Sequence, residues 1–187
     1  MILGMEACKM RMLFEIDKKD YDLCGSVCSR PSATGIIIKD GKVAMVHSKK
    51  NGYYKFPGGG IEAGECREDA LIREVSEETG LCVIPNSIRE YGQVHRIQKG
   101  RKEDVFIQDN YYFLCDVEEK TEQQNLDEYE AEEGFTLQFV NPQLAIDTNR
   151  RGISDEIFQV MMEREARVLE LLMNEGYFKE VHYERNK

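Results

Sequence analysis

No run of apolar residues in this 187-residue chain approaches the roughly 20 needed to span a bilayer, so no membrane association is expected. The opening stretch, Met1 to Leu13, carries Glu6, Lys9 and Arg11 and lacks a continuous apolar core, which argues against a secretory signal and for a cytoplasmic protein. Basic patches are scarce too. The formal net charge is −10, and the nearest thing to a basic cluster is His95-Arg96 with Lys99, Arg101 and Lys102. Proteins that bind nucleic acid in general need basic surface to displace counterions from phosphates, so that class is excluded. The three histidines, His47, His95 and His182, stand alone. Cys24 and Cys28 are four apart but have no second Cys or His pair nearby to complete a zinc site. The remaining cysteines, Cys8, Cys66, Cys82 and Cys115, show no small-scaffold disulfide rhythm, and a chain of this size needs no staples. Cys82 and Cys115 read as small core residues in strands, and Cys66 as a free thiol at a helix start. Internal repeats and low-complexity segments are absent. With 41% hydrophobic and 32% charged residues, the composition fits one globular domain with some elaboration.

Against this background one stretch is crowded. Between Gly59 and Leu81 lie seven acidic residues, two arginines and four glycines. From about Cys66 to Thr79 there is neither Gly nor Pro, and helix formers dominate. Gly80 is a natural stop, because Gly accepts the left-handed conformation of a helix C-terminus. Residues three and four apart share a helix face, so Glu74, Glu77 and Glu78 converge on one strip. Like charges at that spacing repel by roughly 0.2–0.5 kcal/mol per pair, which a hard divalent ion with a preference for oxygen ligands would reverse. Leu71, Ile72 and Val75 occupy an adjoining arc and anchor the helix in the core.

The order Gly59, five residues, Glu65, seven residues, Arg73-Glu74-Val75-Ser76-Glu77-Glu78-Thr79-Gly80-Leu81 resembles the Nudix hydrolase box at every fixed position. The resemblance covers roughly Pro31 to Ile146. It implies an α/β fold, the Nudix-type α/β/α sandwich with a mixed sheet, and a metal-dependent hydrolase. The linkage cut would be the diphosphate of a nucleoside diphosphate joined to another moiety, as in a nucleoside triphosphate, a nucleotide sugar or a dinucleotide. It further implies Mg2+, or Mn2+, as cofactor and a small-molecule nucleoside diphosphate derivative as partner. Carried over position by position, Glu74, Glu77 and Glu78 are metal ligands, with Glu74 alternatively the base. The backbone carbonyl of Gly58 or Gly59 resembles a further ligand. Arg73 holds a glutamate in place, and Glu65 either ligates or braces. The alternative reading is a module of the same fold that senses a nucleotide metabolite without turnover. A prenyl diphosphate isomerase ranks last, since no paired catalytic Cys and Glu motif is evident.

Outside the box, Glu128, Glu130, Glu132 and Glu133 are candidates for a later catalytic glutamate, with Glu130 or Glu133 favoured. Lys55, Gly59, Gly60 and Arg96 are candidate substrate contacts. Tyr53, Tyr54, Tyr91 and Tyr111 could stack on a base, although strand tyrosines more often pack with a polar tip. Strands are expected near Ala33 to Lys39 and Lys42 to His47, joined by Asp40-Gly41, then at Tyr53 to Phe56, Leu81 to Ile84, Ile88 to Gln98, Val105 to Val117 and Gly134 to Val140. Met10 to Ile16 reads as an edge strand or an arm, and Tyr21 to Pro31 as irregular. Thr121 to Glu133 reads as an acidic loop. A short helix runs to Ile146, and Ser154 caps a final helix to Glu175, with apolar residues at Ile157, Val160, Met161, Val168, Leu171 and Leu172. The division is an N-terminal extension or arm over residues 1–30, a Nudix domain over 31–150, and a C-terminal helix over 151–187. That helix packs on the domain or forms a homodimer.

Overall fold

The computed structural model describes residues 10–151 and 156–179. In chain order the elements are β1 (Met12–Asp17), β2 (Val27–Ser29), β3 (Ser32–Ile36), β4 (Ile38–Lys39), β5 (Lys42–Ser48), β6 (Tyr53–Lys55) and β7 (Gly58–Gly60). Helix α1 (Arg67–Thr79) follows, then β8 (Leu81–Val83), a 3-10 turn at Pro85–Ser87, β9 (Arg89–Gln98), β10 (Val105–Leu114) and β11 (Val117–Thr121). The chain continues through α2 (Glu128–Glu133), β12 (Thr136–Val140), α3 (Pro142–Asn149) and α4 (Glu156–Asn174).

The main sheet is mixed, in the order β1-β9-β10-β3-β7. β1 runs parallel to β9, β9 antiparallel to β10, β10 parallel to β3, and β3 antiparallel to β7. A second sheet has the order β12-β5-β4 with β6 also on β5, and β8 pairs with β11. The N-terminal segment therefore supplies strands to the main sheet rather than standing apart from it. β2 and β3 lie end to end along β10, with Val27 opposite Val105 and Ser32 opposite Asn110. Between them the Arg30 N–H donates to the Ile107 carbonyl at 3.0 Å, but Pro31 has no N–H to offer, and the ladder breaks there. The break places Arg30 between β2 and β3, beside the middle of β10. The β4–β5 hairpin turns at Asp40 and Gly41 with φ of 52° and 70°, the left-handed pair that a two-residue turn between twisted strands requires.

Strand alternation divides the core into two layers. Ala33, Ile37, Ala44 and Phe113 face α1, where they meet Leu71 and Val75. Ile36, Met45, Val94 and Tyr112 face the other way and meet Ile146 of α3 and Leu169 and Leu172 of α4. This is an α/β/α sandwich. α4 packs on its own domain through Met162, Ala166, Leu169 and Leu172. Of the apolar residues expected at helical spacing, Val168 and Leu172 are buried, while Val160, Met161 and Leu171 are only partly so. Arg164 and Glu165 also lie in the interior, as an ion pair at 2.5 Å. Ser154 and the side chain of Ile157 lie outside the described residues. Among the described residues no helix is long and apolar enough to cross a membrane.

One expectation fails outright. The acidic stretch before β12 contains a helix, α2, closed by a reciprocal capping box. The Asp127 Oδ1 accepts the Glu130 N–H at 2.8 Å, and the Glu130 Oε2 accepts the Asp127 N–H at 3.0 Å. An acid followed three residues later by Glu is a sequence signature of a helix start.

Candidate active site

Helix α1 begins where a thiol caps it: the Cys66 Sγ accepts from the Asp69 N–H at 3.3 Å. It ends at Gly80, whose φ is 72° and whose N–H donates to the Ser76 carbonyl at 2.8 Å. With both ends fixed and Leu71 and Val75 fully buried, the acidic strip is aimed along β7. The glycines of β7 permit that approach. A side-chain carbon on Gly59 would overlap the Glu74 carboxylate, and one on Gly58, whose φ is 148°, would overlap the Ala33 carbonyl. One on Gly60 would sit 3.1 Å from the Arg30 Nε.

The carboxylates of the strip have different environments. Glu78 is 1% exposed and ion-pairs with the Lys55 Nζ, while its second oxygen accepts the Gly58 N–H at 2.9 Å. Burial pushes its carboxyl up to about 8, opposed by Lys55. Burial would lower Lys55, but the Glu78 carboxylate overrides it and raises the ammonium's pKa. Lys55 also donates to the Gly58 carbonyl at 3.2 Å. Glu74 is mostly buried, and desolvation raises its pKa against the pull of Arg73. Glu77 is the most open of the three, with its side chain 36% exposed.

Arg73 ties these groups together. Its Nε and Nη2 form a bidentate fork on Glu65 at 2.8 and 2.9 Å, and Nη2 also reaches the Gly60 carbonyl at 3.0 Å. Nη1 meets Glu74 at 2.8 Å and Glu77 at 3.2 Å. The fork, with the Glu62 N–H, holds the Glu65 carboxyl down at about 2. Of the two roles open to Glu65, these contacts favour bracing, because both oxygens are already engaged.

In front of the strip lies a cleft of about 570 Å3. Gly60, Arg73, Glu74 and Glu77 line it together with Asn125, Asp127 and Glu130 from the segment that leads into α2, and with Arg30. Glu130 thus joins the cleft. Glu133 is drawn elsewhere: its Oε2 accepts from the Ser48 hydroxyl and the Asn51 amide, both at 2.7 Å. Arg96 does not line this cleft. It is 6% exposed and faces a second hollow at the β9–β10 tip. The candidate stacking tyrosines are engaged in packing. Tyr53 and Tyr54 are buried, Tyr91 donates to Glu175 at 3.0 Å, and Tyr111 lies 3.7 Å under the Arg67 guanidinium. Arg30, Asn125 and Asp127 were not expected. Asp127 carries a local signature only of a helix cap, and nothing local places any of the three at the cleft, which forms from segments far apart in the chain.

Carboxylates outnumber cations around this cleft, with Glu62, Glu74, Glu77, Asp127 and Glu130 against Arg30 and Arg73. The donors are all hard oxygens, the chemistry that suits a divalent cation rather than a soft metal. Among the described residues no three His, Cys, Asp or Glu side chains converge tightly enough to hold an ion as they stand. Lys55 and Arg73 instead occupy Glu78 and the inner oxygens of the strip. The donor chemistry fits a cation; burial is what raises the Glu74 and Glu78 carboxyls, with neighbouring Glu77 and Glu130 adding to it.

The family model for the NUDIX domain matches residues 29–159. The chain belongs to the Nudix family. It is 48% identical over 50 residues to the ADP-ribose pyrophosphatase of Methanocaldococcus jannaschii, a match covering 25% of this chain and 30% of that protein. It is 29% identical over 104 residues to Nudix hydrolase 2 of Arabidopsis thaliana, covering 52% and 37%. An RNA pyrophosphohydrolase of Saccharophagus degradans is 41% identical over 56 residues, covering 28% and 32%. The chain therefore spans about a third of the length of these relatives. A solved NUDIX hydrolase from Nitrosomonas europaea superimposes with a TM-score of 0.52 at 18% identity, covering 73% of this Nudix chain and 87% of that one, a likeness of fold alone.

Proposed function

We propose that this Nudix protein is a divalent-cation-dependent hydrolase of the diphosphate linkage in a nucleoside diphosphate derivative. The observation that carries the reading is that Glu74 and Glu77, beside a glycine ribbon, line one open cleft together with Glu130 and Arg30. The cleft's size lies within the roughly 300–1,000 Å3 usual for small-molecule sites. Glu74, Glu77 and Glu78, with a carbonyl of the Gly58–Gly60 ribbon, would hold Mg2+ or Mn2+. When bound, such an ion supplies Lewis acidity and neutralises charge on the diphosphate oxygens.

The chain's own groups do the rest. Arg73 fixes the directions of Glu65, Glu74 and Glu77, so that positioning is settled before substrate arrives. Arg30 offers a fork to a phosphate oxygen. A water attacks phosphorus, the bridging P–O bond breaks, and the two halves leave as phosphates. The water's proton passes to a carboxylate in reach, Glu130 or Glu74. A small anionic substrate accompanied by cations also suits a net charge of −10.

The relatives act, by name, on ADP-ribose and on RNA, so they support diphosphate chemistry without choosing a substrate. The test is phosphate release with Mg2+ across a nucleoside triphosphate, a nucleotide sugar and a dinucleotide. Turnover of one, lost by about 100-fold or more in Glu77→Gln with the fold intact, is the expected result. Nucleotide binding with no release from any of them would instead make the protein a sensor.

A further inference from the structure

The chain passes from the second sheet to the main sheet between Lys55, the end of β6, and Gly58, the start of β7. Backbone donors are scarce in this crossover. Pro57 has no N–H and a fixed φ, and it restricts Phe56 before it to extended conformations. The Gly58 N–H donates to Glu78 of α1 at 2.9 Å, and the Phe56 N–H donates to the Glu165 Oε2 of α4 at 3.2 Å. A carboxylate from each helical layer thus holds the residues that lead into the glycine ribbon.

Meeting a backbone N–H here does not require a charge. Two residues earlier, the Tyr54 N–H donates to the Asn149 Oδ1 of α3 at 2.8 Å, and the Asn149 amide donates back to the Tyr54 carbonyl at 2.8 Å. At Phe56 the acceptor is instead a carboxylate 1% exposed, with Arg164 buried beside it. The Arg164 Nε and Nη2 both donate to the Glu165 Oε1, at 3.0 and 2.5 Å, while Nη1 reaches the Asn110 Oδ1 of β10 at 2.5 Å. That same Asn110 oxygen accepts from the Ser32 hydroxyl at 2.9 Å, and Ser32 pairs with Gly60 across β3 and β7. One buried network therefore meets the ribbon at both ends, at Phe56 before it and opposite Gly60 at its close. Apolar residues of similar size can often replace a buried ion pair without loss of stability, so stability is a weak reason for this one. The pair ties the Glu165 carboxylate to the main sheet as well as to α4.

We propose that Glu165 is a positioning residue of the glutamate cleft: through the Phe56 N–H it sets the placement of the Gly58 carbonyl, and Arg164 holds it in place for that task. Without this acceptor the Phe56 N–H turns toward another partner, because an unmet buried donor is costly. Pro57 is too stiff to absorb the turn, which passes on to Gly58. The Gly58 carbonyl stands beside Glu78, where both accept from the Lys55 Nζ. The assignment rests on the proposed hydrolase reading for the role of that carbonyl as a cation ligand. It makes the C-terminal helix part of the frame of the site.

The test is Mn2+ affinity, followed by electron paramagnetic resonance, with Tm measured alongside. Two double variants are compared, Arg164→Met with Glu165→Gln and Arg164→Met with Glu165→Leu. Both lack the ion pair, and in both Asn110 and Gln108 keep Ser32 and Arg96 as donors. Only the Gln variant keeps an oxygen for the Phe56 N–H. The Gln variant is expected to bind Mn2+ like the wild type, and the Leu variant about 10-fold more weakly or worse, as when groups that orient ligands are lost. Asn149→Leu, which strips the acceptor from Tyr54, should lower Tm and leave Mn2+ affinity unchanged. Equal affinity in the two double variants overturns the proposal. So does a loss already present in the Gln variant, or an equal loss in Asn149→Leu. Should leucine fail to fold, methionine at 165 takes its place, being more adaptable in a core. Failure of both beside a stable Gln variant makes Glu165 a structural residue and overturns the proposal too. A wild type that binds no Mn2+ removes the hydrolase reading and this one with it. A wild type that binds Mn2+, with every variant alike, loses only this one.

Discussion

Lys55 and Glu78 meet at the foot of the acidic strip as an ion pair whose members are 23 residues apart in sequence, with the Glu78 side chain 1% exposed. Breaking a buried pair from one side leaves an uncompensated charge and costs about 3–5 kcal/mol. Lys55→Met is therefore expected to destabilise the metal-free protein by about that amount above pH 8 and by less at neutral pH, where the Glu78 carboxyl takes up a proton, and Glu78→Gln by less, since its amide oxygen still accepts from Gly58. The double variant should lose less than the sum, with a coupling of about 1–3 kcal/mol in denaturant unfolding. Strict additivity would mean that the pair contributes nothing as a pair.

Arg73 makes five hydrogen bonds, to Glu65, Glu74, Glu77 and the Gly60 carbonyl. Lysine keeps the charge but not the planar fork, so Arg73→Lys should free Glu74 and Glu77 without unfolding the domain. Loss of the groups that orient ligands commonly costs 10–100-fold in metal affinity. The expected outcome is a fall of about that size in Mn2+ affinity, measured by titration with electron paramagnetic resonance, and a small change in Tm. An Arg73→Lys variant with wild-type Mn2+ affinity would show that the fork has no organising role.

The helix carrying Glu74, Glu77 and Glu78 was legible because its signals are local: no Gly or Pro from Cys66 to Thr79, an apolar arc, and a glycine at the end. The strip's division into a buried and an open edge was not. Helical spacing places three carboxylates on one side but cannot say that Lys55 and the Gly58 N–H will enclose Glu78. Arg30 was illegible for a similar reason. Its position depends on β2 and β3 both docking on β10, a strand nearly 80 residues later in the chain. Arg96 was expected near phosphates, and only the register of β9 against β10 reveals that its face turns inward. The α2 helix is a different case. Its Asp127–Glu130 capping box is a local signal, but a six-residue helix this acidic has the composition of a loop.

Gly58 and Gly59 are adjacent, and alanine should affect them differently. At Gly59 the obstacle is the end of a flexible side chain, the Glu74 carboxylate. Gly59→Ala should fold with little loss of stability while displacing Glu74, and an ångström of misplacement can cost about 100-fold in turnover. At Gly58 the obstacle is the Ala33 backbone, and φ is 148°, where an L side chain is strained. Gly58→Ala should cost about 1–3 kcal/mol in urea unfolding. Equal stability losses for the two variants would contradict the geometry.

Glu175, just beyond the end of α4, accepts from the Arg11 Nη2 at 2.7 Å and from the Tyr91 hydroxyl at 3.0 Å, linking β1, β9 and the C-terminal helix. Arg11 holds the Glu175 carboxyl below the usual carboxylate range, with Tyr91 assisting against a smaller desolvation effect. A depressed folded pKa means the contribution is present above the unfolded value of about 4.3 and is lost as pH falls through the lower folded value. Arg11 is over half exposed, so the pair is screened and worth no more than about 1 kcal/mol. For a domain of this size that corresponds to about 2–4 °C in Tm at most. Glu175→Gln should therefore melt a few degrees below the wild type at pH 7, and the two curves should converge as the pH drops below about 4. The same gap at pH 7 and in acid would mean that the carboxylate's charge does not hold these three elements together.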